Sequence, residues 1–138
     1  LFGFDPKVAF VSHSTFGQPL TSRTKHIRSA VEILKEKKVD FEFDGDMQPD
    51  VALNPEYEEL YPFAKIVGKA NILIMPGQHS AAISYKLMKT IGDAKVIGPL
   101  LIGLGLPIEI APLRSSTSEI LNLASIAAYS ADVIDYKK

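Results

Sequence analysis

The sequence has 138 residues, of which 46% are hydrophobic and 22% are charged. This size and composition are typical of one globular domain and exclude a disordered or fibrous chain. Its 15 lysine and arginine residues are balanced by 16 aspartate and glutamate residues, so the basic surplus of a nucleic-acid-binding protein is missing and we expect no nucleic-acid partner. Cysteine is absent, which excludes disulfides, thiolate metal ligands and thiol catalysis.

Neither a membrane-spanning nor a targeting segment is recognisable. The longest apolar stretch, residues 96–110, is interrupted by three glycines and two prolines and falls short of the roughly 20 residues that a spanning helix needs. The first residues, LFGFDP, carry neither Met nor a basic flank, unlike a signal peptide. We expect a cytoplasmic protein with no membrane partner, and we interpret the first residue as a cut end inside a longer chain.

Strands and helices alternate along the first half of the sequence. An apolar run at residues 8–11 predicts a buried strand, which leads into a hydroxyl-rich loop at residues 12–17. A helix is predicted over residues 22–38, with Thr21 or Ser22 as its cap. Its apolar positions have helical spacing and are Ile27, Ala30, Val31 and Leu34.

An acidic stretch follows this helix. Residues 41–44 alternate between apolar and acidic, which predicts a strand with one wet face. Between residues 40 and 59 there are eight acidic residues and no Lys or Arg, and we interpret this run as a solvated edge. Short helices are predicted at residues 48–53 and 55–60.

The second half repeats the alternation. Residues 70–75 form the most apolar run, which predicts a strand buried on both faces, and a helix is predicted over residues 80–91. The pattern Ser116-Thr117-Ser118-Glu119 predicts a capping box at the start of the last helix. Further strands are predicted at residues 96–97, 100–102 and 108–110, and the predicted buried stripe of the last helix is Ile120, Leu123, Ala124 and Ala127.

This order of elements predicts an α/β fold with a mainly parallel sheet. Ligands of such folds bind in the loops that follow the carboxyl ends of the strands, which here are residues 12–17, 76–80 and 111–118. Standard phosphate-loop, dinucleotide and zinc-protease motifs are missing from the sequence. His13, His26 and His79 are far apart in sequence and have no acidic neighbour at ligand spacing, so we expect no metal site. The sequence does not exclude a Ser/His/Asp catalytic triad, although no nucleophile-elbow pattern supports one.

The loop after the first strand carries the clearest local signal. Ser12, Ser14 and Thr15 supply hydroxyl groups, and backbone N–H groups near Gly17 can face an anion, which indicates a phosphate or acyl-phosphate site. The competing interpretation is that these hydroxyls cap the turn, because Ser and Thr commonly bond nearby backbone. Arg23 and Arg28 on the next helix either add positive charge to the loop or are solvated, and His79 either touches a ligand or starts a helix.

Several motifs together resemble the phosphate acetyltransferase family. They are SHSTFG, DGDMQPDVAL, ANILIMP, AAISYKLMK and VIGPLLIGLGLPI, in an ordered series from about residue 7 to 129. The resemblance implies the C-terminal part of a two-lobed domain, each lobe a three-layer sandwich similar to isocitrate and isopropylmalate dehydrogenases. Residues 7–107 would then belong to the second lobe, and residues 111–138 would return to pack on a first lobe that lies upstream.

The resemblance also bears on catalysis. Active members carry a Ser-Arg pair, whose Arg binds the phosphate end of the substrate, and an Asp six residues beyond that Arg, which acts as general base. Counted without gaps, the pair falls on Pro112 and Leu113 and the Asp on Glu119. A lost charged clamp costs on the order of a hundredfold in rate, so we expect no intact catalytic set. Arg114, one residue late, and Glu119 are the weak catalytic candidates.

The loop sequences SHSTFG and DGDMQPD are more similar to a second branch, the C-terminal module of NADP-dependent malic enzymes. That branch implies a regulatory domain that binds acetyl-CoA and lowers malate oxidative decarboxylation to pyruvate by a separate N-terminal module. The alternatives are an active phosphate acetyltransferase, with Arg114 as clamp and Glu119 as base, and an assembly module whose Ala-rich last helix forms a dimer interface. The expected acetyl-CoA or phosphate ligands are Ser12, Ser14, Thr15, Gly17, Leu113, Arg114, Ser115 and Ser116.

The same resemblance sets the expected cofactors and partners. We expect no cofactor and no metal in this domain, with acetyl-CoA or another phosphate-bearing small molecule as its ligand. NADP and a divalent metal are expected only in the upstream module. The family's domains pair, which implies a homo-oligomer that is at least a dimer.

Overall fold

The structure is a computed structural model that describes residues 3–92 and 94–133. Its chain divides between Lys86 and Leu87 into two compact units. The elements, in chain order, are β1 (Lys7–Val11), α1 (Ser22–Glu36), β2 (Glu42–Met47), α2 (Pro49–Leu53), a 3-10 helix (Pro55–Glu59), β3 (Ile72–Ile74), α3 (Gln78–Ile91) and α4 (Thr117–Val133). This is the predicted α/β fold with a parallel sheet.

The sheet has the order β2-β1-β3, and β1 pairs in parallel with both neighbours. The central strand, β1, has a paired strand on each side, and its residues Val8, Ala9 and Val11 are buried. At the start of the strand, the Lys7 N–H donates to Asn71 Oδ1 at 2.8 Å, and the Asn71 N–H donates back to the Lys7 carbonyl at 3.0 Å. Because the three strands are parallel, their carboxyl ends lie at the same end of the sheet, where ligand sites of parallel sheets form.

A small apolar core lies beside this sheet. Its buried members are Ala9, Met47, Ala52, Ile66 and Ala70, with Phe16, Val51 and Leu73 packed against them. The core joins β1 and β2 to α2. The Ala70 N–H donates to the Ala52 carbonyl at 2.8 Å, which ties the segment before β3 to α2 as well. The core fixes the start of the loop that follows β1.

Helix α1 begins where the sequence predicts. Thr21 is the N-cap, and its hydroxyl accepts the Thr24 N–H at 3.3 Å while the Thr24 hydroxyl accepts the Thr21 N–H at 2.8 Å. The helix ends at Glu36, two residues before the predicted end, and Lys38 has a positive φ of 49°. Of the four predicted apolar positions only Val31 is buried.

Two predictions about the acidic stretch and the strand after it are wrong. Asp44 and Asp46 are buried rather than solvated, because β2 carries them into the interior where hydrogen bonds hold them. β3 is shorter than predicted and is not buried on both faces: Ile72 and Ile74 are 41% and 42% exposed. It has one strand neighbour in the described residues and forms an edge of the sheet.

The second unit also differs from expectation. No strand forms at residues 96–97, 100–102 or 108–110 of the described chain. Gly98 and Gly103 have positive φ, and Pro99 and Pro107 lack the N–H that a ladder needs. In α4 the predicted buried stripe is reduced to Leu123, while Ile120 is half exposed.

The returning segment predicted over residues 111–138 includes α4, and residues 134–138 lie outside the described residues. The predicted lobe boundary stays a prediction. Among the described helices, none has both the length and the apolar character that crossing a bilayer requires.

Candidate functional site

The loop after β1 is held closely against the end of β2. The Ser12 N–H donates to the Met47 carbonyl at 2.9 Å, and the Phe16 N–H donates to the Asp46 carbonyl at 2.6 Å. Ser12 Oγ accepts the Ser14 N–H at 3.3 Å. These bonds turn the chain sharply at the sheet edge, so the loop has a defined shape.

Ser14 and Asp46 form a buried pair beneath this loop. Both side chains are fully inaccessible to solvent, and the Ser14 hydroxyl donates to Asp46 Oδ2. Asp46 Oδ1 is buried and has no hydrogen-bond partner among the residues that the structure describes. Ser14 is therefore engaged inside the protein by a side chain 32 residues away, which the turn-capping interpretation, with its bonds to nearby backbone, does not predict.

Thr15 and Gly17 also serve the loop itself. Thr15 Oγ1 accepts the Gln48 N–H at 3.2 Å, and the Gln48 side-chain amide donates to the His13 carbonyl at 3.0 Å. Gly17 has a φ of 84°, and a Cβ there would collide with the Arg28 guanidinium. That guanidinium donates to the Phe16 carbonyl at 3.1 Å, so Arg28 braces the loop.

An open cleft of about 740 Å³ lies beside the loop, within the first unit. This volume is in the range of ordinary small-molecule sites. The cleft is formed where β1 and β3 end and where α1 and α3 begin, and its polar lining residues are Ser12, His13, Arg23, His26, His79 and Ser80. All three histidines of the chain therefore lie in one cleft, although no group of three or more His, Cys, Asp or Glu in the described residues is arranged to hold a metal ion.

The predicted second loop lies in the other unit. Leu113 is fully exposed, and the Ser115 N–H donates to the Pro112 carbonyl at 3.0 Å in a tight turn. Arg114 is exposed, as is Ser116. Candidate ligand residues thus divide between the two units.

Glu119 forms the predicted capping box with Ser116. Its carboxylate accepts the Ser116 N–H at 2.7 Å, and its own N–H donates to Ser116 Oγ at 3.3 Å. The Lys89 ammonium donates to its other oxygen. This Lys89 hydrogen bond, followed by those from Ser116, lowers the pKa of Glu119 to about 2.

The lowered pKa gives a first testable prediction. Because the folded pKa lies below the ordinary value of 4.5, the ionised carboxylate stabilises the start of α4 above pH 4.5, and this contribution is lost as the pH falls toward about 2. Carbon NMR of the Glu119 carboxyl is expected to show a titration midpoint near 2. Lys89→Met should raise that midpoint and Lys95→Met should not; an equal midpoint in all three proteins would contradict the assignment.

Sequence reasoning missed two features of this region. The convergence of His13, His26 and His79 follows from tertiary structure, because each begins or follows a different element. The acidic run around Asp46 predicted a solvated edge, so the burial of this side chain was not expected. The signal that was available was the placement of His13 and His79 directly after predicted parallel strands.

Comparison with known proteins places the chain in a family. The family described as phosphate acetyl/butaryl transferase matches residues 1–128. The chain is 49% identical over 129 residues to a protein named NADP-dependent malic enzyme from Rhizobium meliloti, covering 94% of this chain and 17% of that protein. It is 33% identical over 132 residues to the phosphate acetyltransferase of Bacillus subtilis, covering 95% of this chain and 41% of that protein.

Solved structures give the same result. A crystal structure of a phosphotransacetylase from Streptococcus pyogenes superposes with a TM-score of 0.86 at 35% identity, covering 94% of this chain and 40% of that chain. The chain spans less than half the length of each of these relatives. The family match, the shared fold and the parallel sheet together establish that this chain belongs to the phosphate acetyl/butaryl transferase family.

Proposed function

We propose that this chain is the phosphotransacetylase-like regulatory domain of an NADP-dependent malic enzyme, and that it binds acetyl-CoA without transferring the acetyl group. The observation that carries the proposal is Leu113. An uncharged, fully exposed side chain stands where active relatives are expected to place an arginine. The 49% identity to a protein named malic enzyme supports the same branch.

The proposed loss of acetyl transfer has an electrostatic reason. Transfer to phosphate develops negative charge on oxygen atoms, and a fixed positive group lowers the energy of that state. Leu113 offers neither a charge nor a donor, and Pro112 lacks even a backbone N–H. Losing such a clamp slows a reaction on the order of a hundredfold or more.

Glu119 is also poorly suited to act as a general base. An effective base has a pKa near the working pH, whereas hydrogen bonds from Lys89 and Ser116 lower the pKa of Glu119 to about 2. Both of its oxygens are already used as acceptors. Its role in the proposal is to cap α4.

Binding of acetyl-CoA is assigned to the loop after β1 in the first unit. Ser12 and the backbone near Gly17 would contact the ligand there, with Ser14 and Thr15 holding that loop in shape. For the second unit, the candidate ligand residues stay those that the family resemblance implies, which are Leu113, Arg114, Ser115 and Ser116. NADP and a divalent metal would belong to the upstream module, and the full-length protein would be a homo-oligomer.

Regulation requires that acetyl-CoA bind one conformational state of the whole protein better than another. The test is acetyl-CoA inhibition of malate oxidation by the full-length protein that contains this chain. We expect inhibition, and we expect Ser12→Ala to raise the half-inhibiting concentration roughly fivefold, since a hydrogen bond is worth about 1 kcal/mol.

Ser29→Ala is the matched control, because the Ser29 hydroxyl donates only within α1, to the Lys25 carbonyl at 2.9 Å. It should leave inhibition unchanged. Malate oxidation that does not respond to acetyl-CoA would contradict the regulatory proposal.

The second candidate function is active phosphate acetyl transfer. The exposed side chain of Arg114, next to Leu113, favours it, because a shifted loop would let its guanidinium replace the missing clamp. In that case Arg114→Ala would abolish acetyl transfer. Under the regulatory proposal, the unaltered protein already shows no acetyl transfer.

A further inference from the structure

We propose that Arg28 is a positioning residue for acetyl-CoA binding, which acts through Phe16 to hold the loop after β1 in its ligand-accepting shape. The inference rests on the proposed function, because it deepens the assignment of acetyl-CoA to this loop. Neither residue is among the expected ligand contacts, and the described lining of the 740 Å³ cleft includes neither of them. Arg28 therefore acts on the loop and not on the ligand.

The backbone of Phe16 has a conformation that needs support from its surroundings. Its φ is 49°, which lies in the left-handed region that a residue with a bulky side chain rarely occupies. A residue stays in this region only where the structure around it holds it there. Removing a support from Phe16 therefore lets the loop relax toward another shape.

Phe16 is held by contacts from three parts of the first unit. Its N–H donates to the Asp46 carbonyl of β2 at 2.6 Å, and its carbonyl accepts the Arg28 guanidinium of α1 at 3.1 Å. Its ring centroid lies 5.5 Å from that of Tyr61 and 4.9 Å from that of Phe63. Of these contacts, the one from Arg28 ties the loop to the helix that follows it.

Gly17 provides the space that the guanidinium occupies. Gly17 is buried, and a Cβ at this position would collide with Arg28 Nη1. The missing side chain lets the charged donor reach the backbone of the loop, where a charge-assisted hydrogen bond is stronger than a neutral one. Gly17 and Arg28 should therefore behave as one unit when they are substituted.

The supported residue lies within the turn that is expected to face the ligand. The Thr15 N–H donates to the Gln18 carbonyl at 3.2 Å, and the Gln18 N–H donates to the Thr15 carbonyl at 3.0 Å. Phe16 and Gly17 lie between these bonds, so a rotation at Phe16 turns the Gly17 N–H away from its expected direction. A loop that is already held in its bound shape binds more tightly, because less ordering remains to be done on binding.

The first test is isothermal titration calorimetry of acetyl-CoA into the full-length protein. Arg28→Met should raise the Kd at least about fivefold, the value of roughly one lost hydrogen bond. Arg28→Lys should raise it less, because an ammonium can still donate to the Phe16 carbonyl. Lys25→Met removes the same charge from an exposed position of α1 and should change the Kd by less than about twofold. Equal losses in Arg28→Met and Lys25→Met would overturn the proposal.

A double-mutant cycle distinguishes positioning from direct contact with the ligand. Gly17→Ala should displace the guanidinium and strain the backbone, which raises the Kd at least about tenfold. Adding Arg28→Met to Gly17→Ala should then raise the Kd by less than about twofold, because the support is already lost. Two effects that multiply would show that Arg28 acts independently of the loop and would overturn the positioning role.

Hydrogen exchange of the ligand-free protein distinguishes a local effect from general unfolding. Arg28→Met should speed exchange in residues 12–18 at least about threefold and leave β1 and β2 unchanged. An equal loss of protection in both strands would overturn the proposal, because Arg28 would then act on general stability.

The calorimetry also separates this inference from the proposed function. If the unaltered protein binds no acetyl-CoA, the proposed function fails and this inference fails with it. If the unaltered protein binds acetyl-CoA and Arg28→Met binds it equally well, this inference alone is overturned.

Discussion

Gly45→Ala is expected to destabilise the sheet by about 3 kcal/mol. Gly45 pairs with Phe10 across β1 and β2 and has a φ of 152°. A Cβ at this position would lie 2.7 Å from both Phe10 Cβ and the Phe10 carbonyl oxygen. Neither atom can move without displacing the central strand to which both belong. The substitution therefore adds a steric clash to a backbone conformation that is unfavourable for alanine.

Hydrogen exchange of the full-length protein, followed by mass spectrometry, measures this loss locally. About 3 kcal/mol corresponds to a more than 100-fold loss of protection in β1 and β2. Gly105→Ala is the control, because nothing lies within 4 Å of the added Cβ. Equal protection in the Gly45 and Gly105 variants would show that the sheet accommodates the side chain.

Ser14→Ala is expected to destabilise the first unit by about 2 to 3 kcal/mol. Ser14 and Asp46 are fully buried, and within residues 3–92 and 94–133 Asp46 Oδ1 already lacks a hydrogen-bond partner. Removing the Ser14 hydroxyl leaves the whole carboxyl group buried without a side-chain donor. The cost is that of an unsatisfied buried polar group, which exceeds the value of the hydrogen bond itself.

A double-mutant cycle separates this effect from simple loss of volume. Combining Ser14→Ala with Asp46→Ala removes both partners, and we expect a favourable coupling of at least about 1 kcal/mol relative to the sum of the single variants. Ser29→Ala, at an exposed position, should change stability by less than about 0.5 kcal/mol. Strictly additive single effects would contradict the buried pair.

The local parts of the fold could be predicted from the sequence because their causes are local. The start of α1 at Thr21, the capping box at Ser116 and Glu119, and the parallel pairing of β1 follow from caps and apolar runs. The absence of the predicted strands from the described part of the second unit could not, since an apolar run such as residues 100–102 forms a strand only where a neighbouring strand pairs with it.

The position of the loop after β1 could be predicted, because a loop that follows a buried parallel strand lies at the carboxyl end of the sheet. Ligand binding by this loop stays a prediction. Its hydroxyls could not be divided between ligand and interior, because the burial of Ser14 depends on Asp46, 32 residues away. The gathering of three histidines in one cleft also required the tertiary fold.

The central claim, that this domain has lost acetyl transfer, is tested most directly by incubating the full-length protein with acetyl phosphate and CoA. The phosphate acetyltransferase of Bacillus subtilis serves as the positive control, and malate oxidation by the same preparation shows that the protein is intact. We predict no acetyl-CoA above the protein-free reaction. Catalytic acetyl-CoA formation that Arg114→Ala abolishes would contradict the claim and would assign the clamp to Arg114.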